Sequence, residues 1–150
     1  MLTFRPITAQ DRAVVIPMVQ AFYQTDAVEH PVDPAILERS FQALVDPEEP
    51  LLWGYLIEEQ GAPAGYLYLT QCYSAEVGGR CIFIEEIFLT PQRRGRGLGR
   101  QVMDWLAQTY PQANRLRLEV TRDNQSAKAL YEKSGYRYLA YDQMVLDREN

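Results

Sequence analysis

Three glycines and four arginines crowd into eleven residues, Thr90-Pro-Gln-Arg-Arg-Gly-Arg-Gly-Leu-Gly-Arg100. The apolar run before them, Cys81-Ile-Phe-Ile-Glu-Glu-Ile-Phe-Leu89, reads as a strand. The pattern after them, with apolar residues at Leu98, Val102, Trp105 and Leu106, reads as a helix. The stretch therefore sits at a helix N-terminus, where the first N–H groups lack partners and the dipole is electropositive. Glycines let an anion oxygen reach the backbone without meeting a Cβ, and arginines add forked donors that suit phosphate. The chemistry this permits is capture of a phosphate-bearing group. A P-loop is excluded because no Lys-Ser or Lys-Thr follows the glycines. A Rossmann fingerprint is excluded because the glycines are spaced Gly95-x-Gly97-x-Gly99 and no first βαβ half precedes them. A disordered Arg-Gly box is excluded because a strand and a helix bound the stretch.

The elements that position this loop are legible around it. Leu2–Pro6 alternates as a short strand. Thr8-Ala-Gln-Asp11 resembles a capping box ahead of a helix with Val15, Met18, Val19 and Phe22 inward, in which Pro17 predicts a kink or a displaced start. Tyr23–Pro31 is a loop. Asp33-Pro34 caps a second helix running to about Val45, with Ile36, Leu37, Phe41 and Leu44 inward. Leu51–Glu58, Ala64–Tyr73 and Cys81–Leu89 are joined by short turns and predict an antiparallel meander. Arg115–Val120 follows a strand–helix unit, so it is expected parallel to the Cys81–Leu89 strand. Asp123 or Asn124 caps a short helix with Ala127, Leu130, Tyr131 and Ser134 inward, ended by Gly135. Tyr136–Tyr138 and Gln143–Leu146 read as two final strands.

The chain of 150 residues suits one domain, 1–150, and its 47% hydrophobic and 23% charged composition is ordinary for a soluble protein. No apolar run approaches the roughly 20 residues of a membrane helix, which argues against a membrane partner. The N-terminus shows no signal-peptide pattern, so the cytoplasm is the expected location. Net charge −5, from 15 basic and 20 acidic residues, argues against nucleic acid and favours a cationic substrate. His30 is the only histidine and no Cys/His cluster suggests a metal. Cys72 and Cys81 flank a turn, and a cytosolic location favours free thiols.

Gln92-Arg-Arg-Gly95-Arg-Gly97 resembles the pyrophosphate-binding Gln/Arg-x-x-Gly-x-Gly/Ala motif of the GNAT N-acetyltransferases. Ile84-Glu-Glu-Ile-Phe-Leu89 is similar to that family's fourth strand. Glu119-Val-x-x-x-Asn124-x-x-Ala127-x-x-x-Tyr131-x-x-x-Gly135-Tyr136 is similar to its fifth strand and following helix. The order of elements matches over essentially the whole chain. The doubled acid before an apolar triplet resembles the spermidine/spermine (diamine) acetyltransferase branch.

The resemblance implies an α+β, three-layer fold. Its sheet is mixed and mostly antiparallel, with a central parallel strand pair that splays apart. It implies acetyl-CoA as co-substrate, a small and cationic amine as acceptor, no metal, and a homodimer. The backbone of Ile87, Phe88 and Leu89 would bind the pantetheine arm, and the Leu89 N–H would polarise the thioester carbonyl. The loop Gln92, Arg93, Arg94, Gly95, Arg96, Gly97, Leu98, Gly99 and Arg100 would hold the pyrophosphate, through the amides from Arg94 onward. Asn124 and Ala127 would line the other side of the wedge, although Asn124 equally suits a plain helix cap. Glu85 and Glu86 are adjacent on a strand and so are expected on opposite faces. Glu85 is then the expected proton acceptor, through a water, with Glu86 second. Tyr131 would reach the departing sulfur as general acid. The acceptor would lie near Tyr23, Asp26, Glu29, Tyr73 and Glu85, with His30 structural. A protein or peptide amine, or an acetyl-CoA sensor without turnover, are the alternatives.

Overall fold

The computed structural model describes residues 1–148 of the chain. Five strands form one sheet in the order β1 (Leu2–Pro6), β2 (Leu52–Glu59), β3 (Ala62–Ser74), β4 (Gly79–Leu89) and β5 (Arg115–Leu118). β2, β3 and β4 make the expected antiparallel meander, β1 returns beside β2 antiparallel to it after the first two helices, and β5 pairs parallel to β4. Helices α1 (Arg12–Phe22) and α2 (Pro34–Val45) cover one face, while α3 (Leu98–Thr109) and α4 (Gln125–Lys133) cover the other. The result is the three-layer architecture that the family resemblance implies.

Alternation along β3 divides the core. Tyr66 and Tyr68 pack with Val15, Val19, Phe22, Leu37, Phe41 and Leu44 on the α1/α2 face. Leu67 and Leu69 pack with Ile82, Ile84, Val102, Met103, Leu106 and Tyr131 on the α3/α4 face. Burying such side chains stabilises by roughly 1.5–3 kcal/mol each, which fixes the register because a slip by one residue would expose every one of them.

Local signals set most boundaries. Thr8 and Asp11 form the capping box around a short 3-10 turn, and α1 then runs unbroken through Pro17. Asp33 caps α2 by accepting from the Ala35 N–H at 2.8 Å, with Pro34 in its first turn. Three expectations are corrected. Ile36 is exposed on α2 rather than inward. The last sheet strand stops at Leu118 rather than Val120. Tyr136–Tyr138 and Gln143–Leu146 are not strands. The Tyr141 hydroxyl reaches Glu76 near the start of β5 at 3.1 Å, yet the segment makes no ladder with β5. Alternating residues give propensity, but backbone pairing makes the strand.

Candidate active site

Strands β4 and β5 part company at one place. Their pairing covers Cys81–Ile84 against Arg115–Leu118 and ends there, while β4 continues to Leu89. A gap therefore opens beside Glu85–Leu89. The Thr90 N–H bonds the Ala64 carbonyl at 2.9 Å, which makes Thr90 and, two residues back, Phe88 the positions bonded to β3. The N–H and C=O of Ile87 and Leu89 consequently point away from β3, into the gap. Arg94 Nε donates to the Leu89 carbonyl at 2.9 Å, leaving the Leu89 N–H turned to the same opening. Phe88 is different: its backbone faces β3 and its ring packs in the α1/α2 core, so of the three expected backbone contacts it is the one the geometry leaves out.

The doubled acid lies at the mouth of the gap, on a β-bulge. Tyr68 pairs with Glu86 and Leu69 with Ile84, so Glu85 is the extra residue. The bulge cancels one alternation and corrects the expectation of opposite faces. Glu85 accepts from Thr70 Oγ1 at 2.9 Å, and Glu86 accepts from the hydroxyls of Tyr66 at 2.7 Å and Tyr23 at 2.8 Å. Thr70, Tyr66 and Tyr23 all belong to the α1/α2 side, so both carboxylates do too. Glu86 is half-buried, and burial raises its pKa although both tyrosines oppose the rise. Glu85 reaches solvent. Loss of water from part of its surface raises its pKa, Thr70 opposes this, and the nearby Glu119 adds to it. The Tyr68 hydroxyl, buried without a hydrogen-bond partner among the described residues, belongs to the same cluster.

Past Leu89 the glycine loop turns the chain into α3. Gly95 and Gly97 have φ of +72° and +75°, a conformation that side chains with a Cβ rarely adopt, and a Cβ at either would meet nothing within 4 Å. These two glycines thus hold a turn whose outer side is open, at the N-terminus of α3, as an anion cradle requires. The Arg94 N–H is already bonded to Pro91 at 3.3 Å, so the available amides begin at Gly95. Gly99 has another role: a Cβ there would lie 2.8 Å from Leu130, so this glycine lets α3 approach α4.

The arginines are less free than the sequence suggests. Arg93 and Arg96 both bond the buried Glu59. Arg94 sits over the Phe88 ring, and Arg100 bonds Asp104 and the Lys133 carbonyl. The cradle is therefore mainly backbone. Gln92 lies exposed before it.

Across the gap, Asn124 caps α4 by accepting from the Ala127 N–H, so the cap reading of Asn124 holds in this structure. Tyr131 is buried on the inner face of α4, and burial pushes its phenol up to about 12. A cavity of about 650 Å³ between α3, β5 and α4 runs past Tyr131 to Tyr136. Tyr73 is corrected: it is exposed and, being odd-numbered on β3 like Leu67 and Leu69, lies on the face opposite the two carboxylates. Asp26 lies in the α1–α2 loop, and its carbonyl accepts from Thr121 just past β5, so this loop reaches the gap. Glu29 is exposed, with its carboxylate 3.7 Å from the ring of exposed His30. Sequence reasoning missed Tyr66, Thr70, Glu119 and Glu59. The alternation of hydroxyl residues in Tyr66-Leu-Tyr68-Leu-Thr70 was a signal for the first two. Nothing local marked Glu59.

The model of the acetyltransferase (GNAT) family matches residues 16–136. A comparison with curated proteins returns no match. Among solved structures, a possible acetyltransferase from Clostridium difficile 630 superposes with a TM-score of 0.82 at 16% identity, covering 100% of this chain and 99% of that one. A predicted acetyltransferase from Clostridium acetobutylicum, solved with acetyl-CoA, gives 0.76 at 16% identity, covering 97% and 96%. An integron cassette protein from the mobile metagenome of Cole Harbour Salt Marsh gives 0.75 at 25% identity, covering 97% and 89%.

Proposed function

Because this chain belongs to the acetyltransferase (GNAT) family, we propose that it transfers the acetyl group of acetyl-CoA to a primary amine of a small cationic substrate. The observation that carries this reading is the β4 bulge, which sets Glu85 and Glu86 side by side where β4 and β5 separate. Acetyl-CoA would supply an activated acyl carbon at the opening, its pyrophosphate on the amides from Gly95 onward and its pantetheine along Ile87 and Leu89. The open space at Gly95 and Gly97 fits such a group.

The acceptor would enter from the α1/α2 side, where Glu85, Glu86, Tyr23 and the Asp26 loop give an acidic and aromatic surface that suits an alkylammonium ion. An alkylamine with a pKa of ~10 must lose a proton before it attacks. Glu85 is the better acceptor for that proton, because it reaches solvent and keeps one oxygen outside the Thr70 bond. Its raised pKa brings it closer to the amine. Glu86 is occupied by two phenols, so its role is to hold Tyr23 and Tyr66 in place. The Leu89 N–H would stabilise the oxyanion. Tyr131 would donate a hydrogen bond to sulfur as the C–S bond breaks.

The test is a panel of amines assayed for acetyl-CoA-dependent release of free thiol. Diamines, polyamines and lysine-like amines should turn over faster than anionic amino acids. Equal rates across the panel would refute the cationic preference. Tight acetyl-CoA binding with no release for any amine or peptide would replace the enzyme with a sensor.

A further inference from the structure

Asp11 and Glu59 are the only buried charged residues among those described, and Asp11 is explained by its capping box. Glu59 ends β2, opposite Leu2 on β1 and Ala62 on β3, just before the Gln60-Gly61 turn. Two residues from Ile57, it shares the sheet face that carries α3. There it accepts from Arg93 and, at 3.1 Å to each of its oxygens, from both terminal nitrogens of Arg96. Its side chain is 8% exposed, whereas those of Arg93 and Arg96 are 27% and 50% exposed. One carboxylate under the sheet edge thus grips the loop on both sides of Gly95.

We propose that Glu59 is a positioning residue that pre-sets the phosphate-facing conformation of the glycine loop; this rests on the reading that the loop binds the CoA pyrophosphate. The physical case is entropic. Gly95 and Gly97 give the loop its left-handed turns, and glycine has more conformational freedom to lose on ordering than any other residue. A loop already held in its bound form does not have to be ordered when ligand arrives. Two long arginine side chains anchored to one rigid strand supply that order. The arrangement also sets charge: one carboxylate against two guanidiniums leaves a single net positive charge beneath the cradle. Charge and geometry therefore predict opposite effects when Glu59 is changed. Without its negative charge, an anion should bind more tightly if electrostatics alone matter. If positioning matters, the anion should bind more weakly.

The experiment measures Kd for CoA and for pantetheine, which lacks the pyrophosphate, with wild type, Glu59→Gln and Glu59→Asp. Thermal unfolding is followed on each. Freeing two anchored side chains should weaken CoA about 10–100-fold in Glu59→Gln, and pantetheine by no more than about twofold. Saturating kcat should stay within a few-fold, so that the loss appears in KM. Glu59→Asp keeps the charge and withdraws the carboxylate by one methylene, so it should also weaken CoA selectively, and it tests the idea if Glu59→Gln does not fold. Tighter or unchanged CoA binding in either variant would overturn the proposal, as would equal weakening of CoA and pantetheine. If wild type itself binds CoA and pantetheine equally, the pyrophosphate reading of the loop fails first.

Discussion

Replacing Tyr131 by Phe removes one oxygen and keeps the ring against α3 and β5. The only perturbation of the phenol is burial, which pushes it up to about 12, and no hydrogen bond anchors it among the described residues. Stability should therefore change by less than about 1 kcal/mol, because no protein hydrogen bond is lost. The same value constrains the chemistry. A free thiol has a pKa of ~8.5, so moving the phenol proton completely to a thiolate runs uphill by ~3.5 units, or ~5 kcal/mol. Complete transfer is not where a catalytic gain can come from. A hydrogen bond to developing negative charge on sulfur is worth ~1.5–3 kcal/mol. This converts to a loss of ~10–150-fold in kcat, below the upper range of general acids. Because the bond forms only as the C–S bond breaks, kcat and kcat/KM should fall together, with KM for acetyl-CoA unchanged. The assay pairs steady-state kinetics with thermal unfolding on the same variant. A second readout is pH: with a phenol at about 12, Tyr131 should add no basic limb below about pH 10. A kcat within threefold of wild type would refute the role, and so would a loss explained by unfolding.

Glu85→Gln should lower kcat/KM by ~10²-fold or more with little change in stability, whereas Glu86→Ala should strand the Tyr23 and Tyr66 hydroxyls and lower stability by roughly 2–3 kcal/mol; comparable loss of turnover in a well-folded Glu86→Gln would reverse the two assignments. Because the Glu85 pKa is raised, kcat/KM in wild type should climb with pH to a point above the ordinary carboxylate range, and that acidic limb should disappear in Glu85→Gln. Gly97→Val forces a branched side chain into a φ of +75° at the cradle, so CoA should bind at least tenfold more weakly while pantetheine is little affected; equal effects on both ligands would remove the cradle. Asp11 is held down to about 2, from the ordinary 3.8, chiefly by Arg5, so its contribution is present above pH 4 and is lost as pH falls towards 2. With Arg5 half exposed that contribution is about 1–2 kcal/mol, and Asp11→Asn should flatten the acid side of the stability profile by this amount.

Much of this molecule is written locally. The capping box at Thr8–Asp11, the Asp33-Pro34 start, the left-handed glycines and the period of each strand act within a few residues, so the sequence alone determined the elements up to Gly135, their order and the loop that turns β4 into α3. The parallel placement of β5 also followed, since a strand–helix–strand unit has one favoured hand. The chemistry of the site was decided elsewhere. Strict alternation put Glu85 and Glu86 on opposite faces, and only the pairing of β3 with β4 shows the bulge that brings them together. Alternation within β3 also carries Tyr73 to the other face, and its partner across the hairpin is Arg80 rather than either acid. Four arginines near a helix N-terminus looked like free donors until Glu59, at least 34 residues away in the chain, was seen to hold two of them. The strand-like residues after Gly135 lack a ladder because a strand is a property of two chains of backbone, not one. A periodicity or a cap is settled by neighbours along the chain. A bulge, a buried carboxylate and the face a residue shares depend on partners that meet only when the sheet closes.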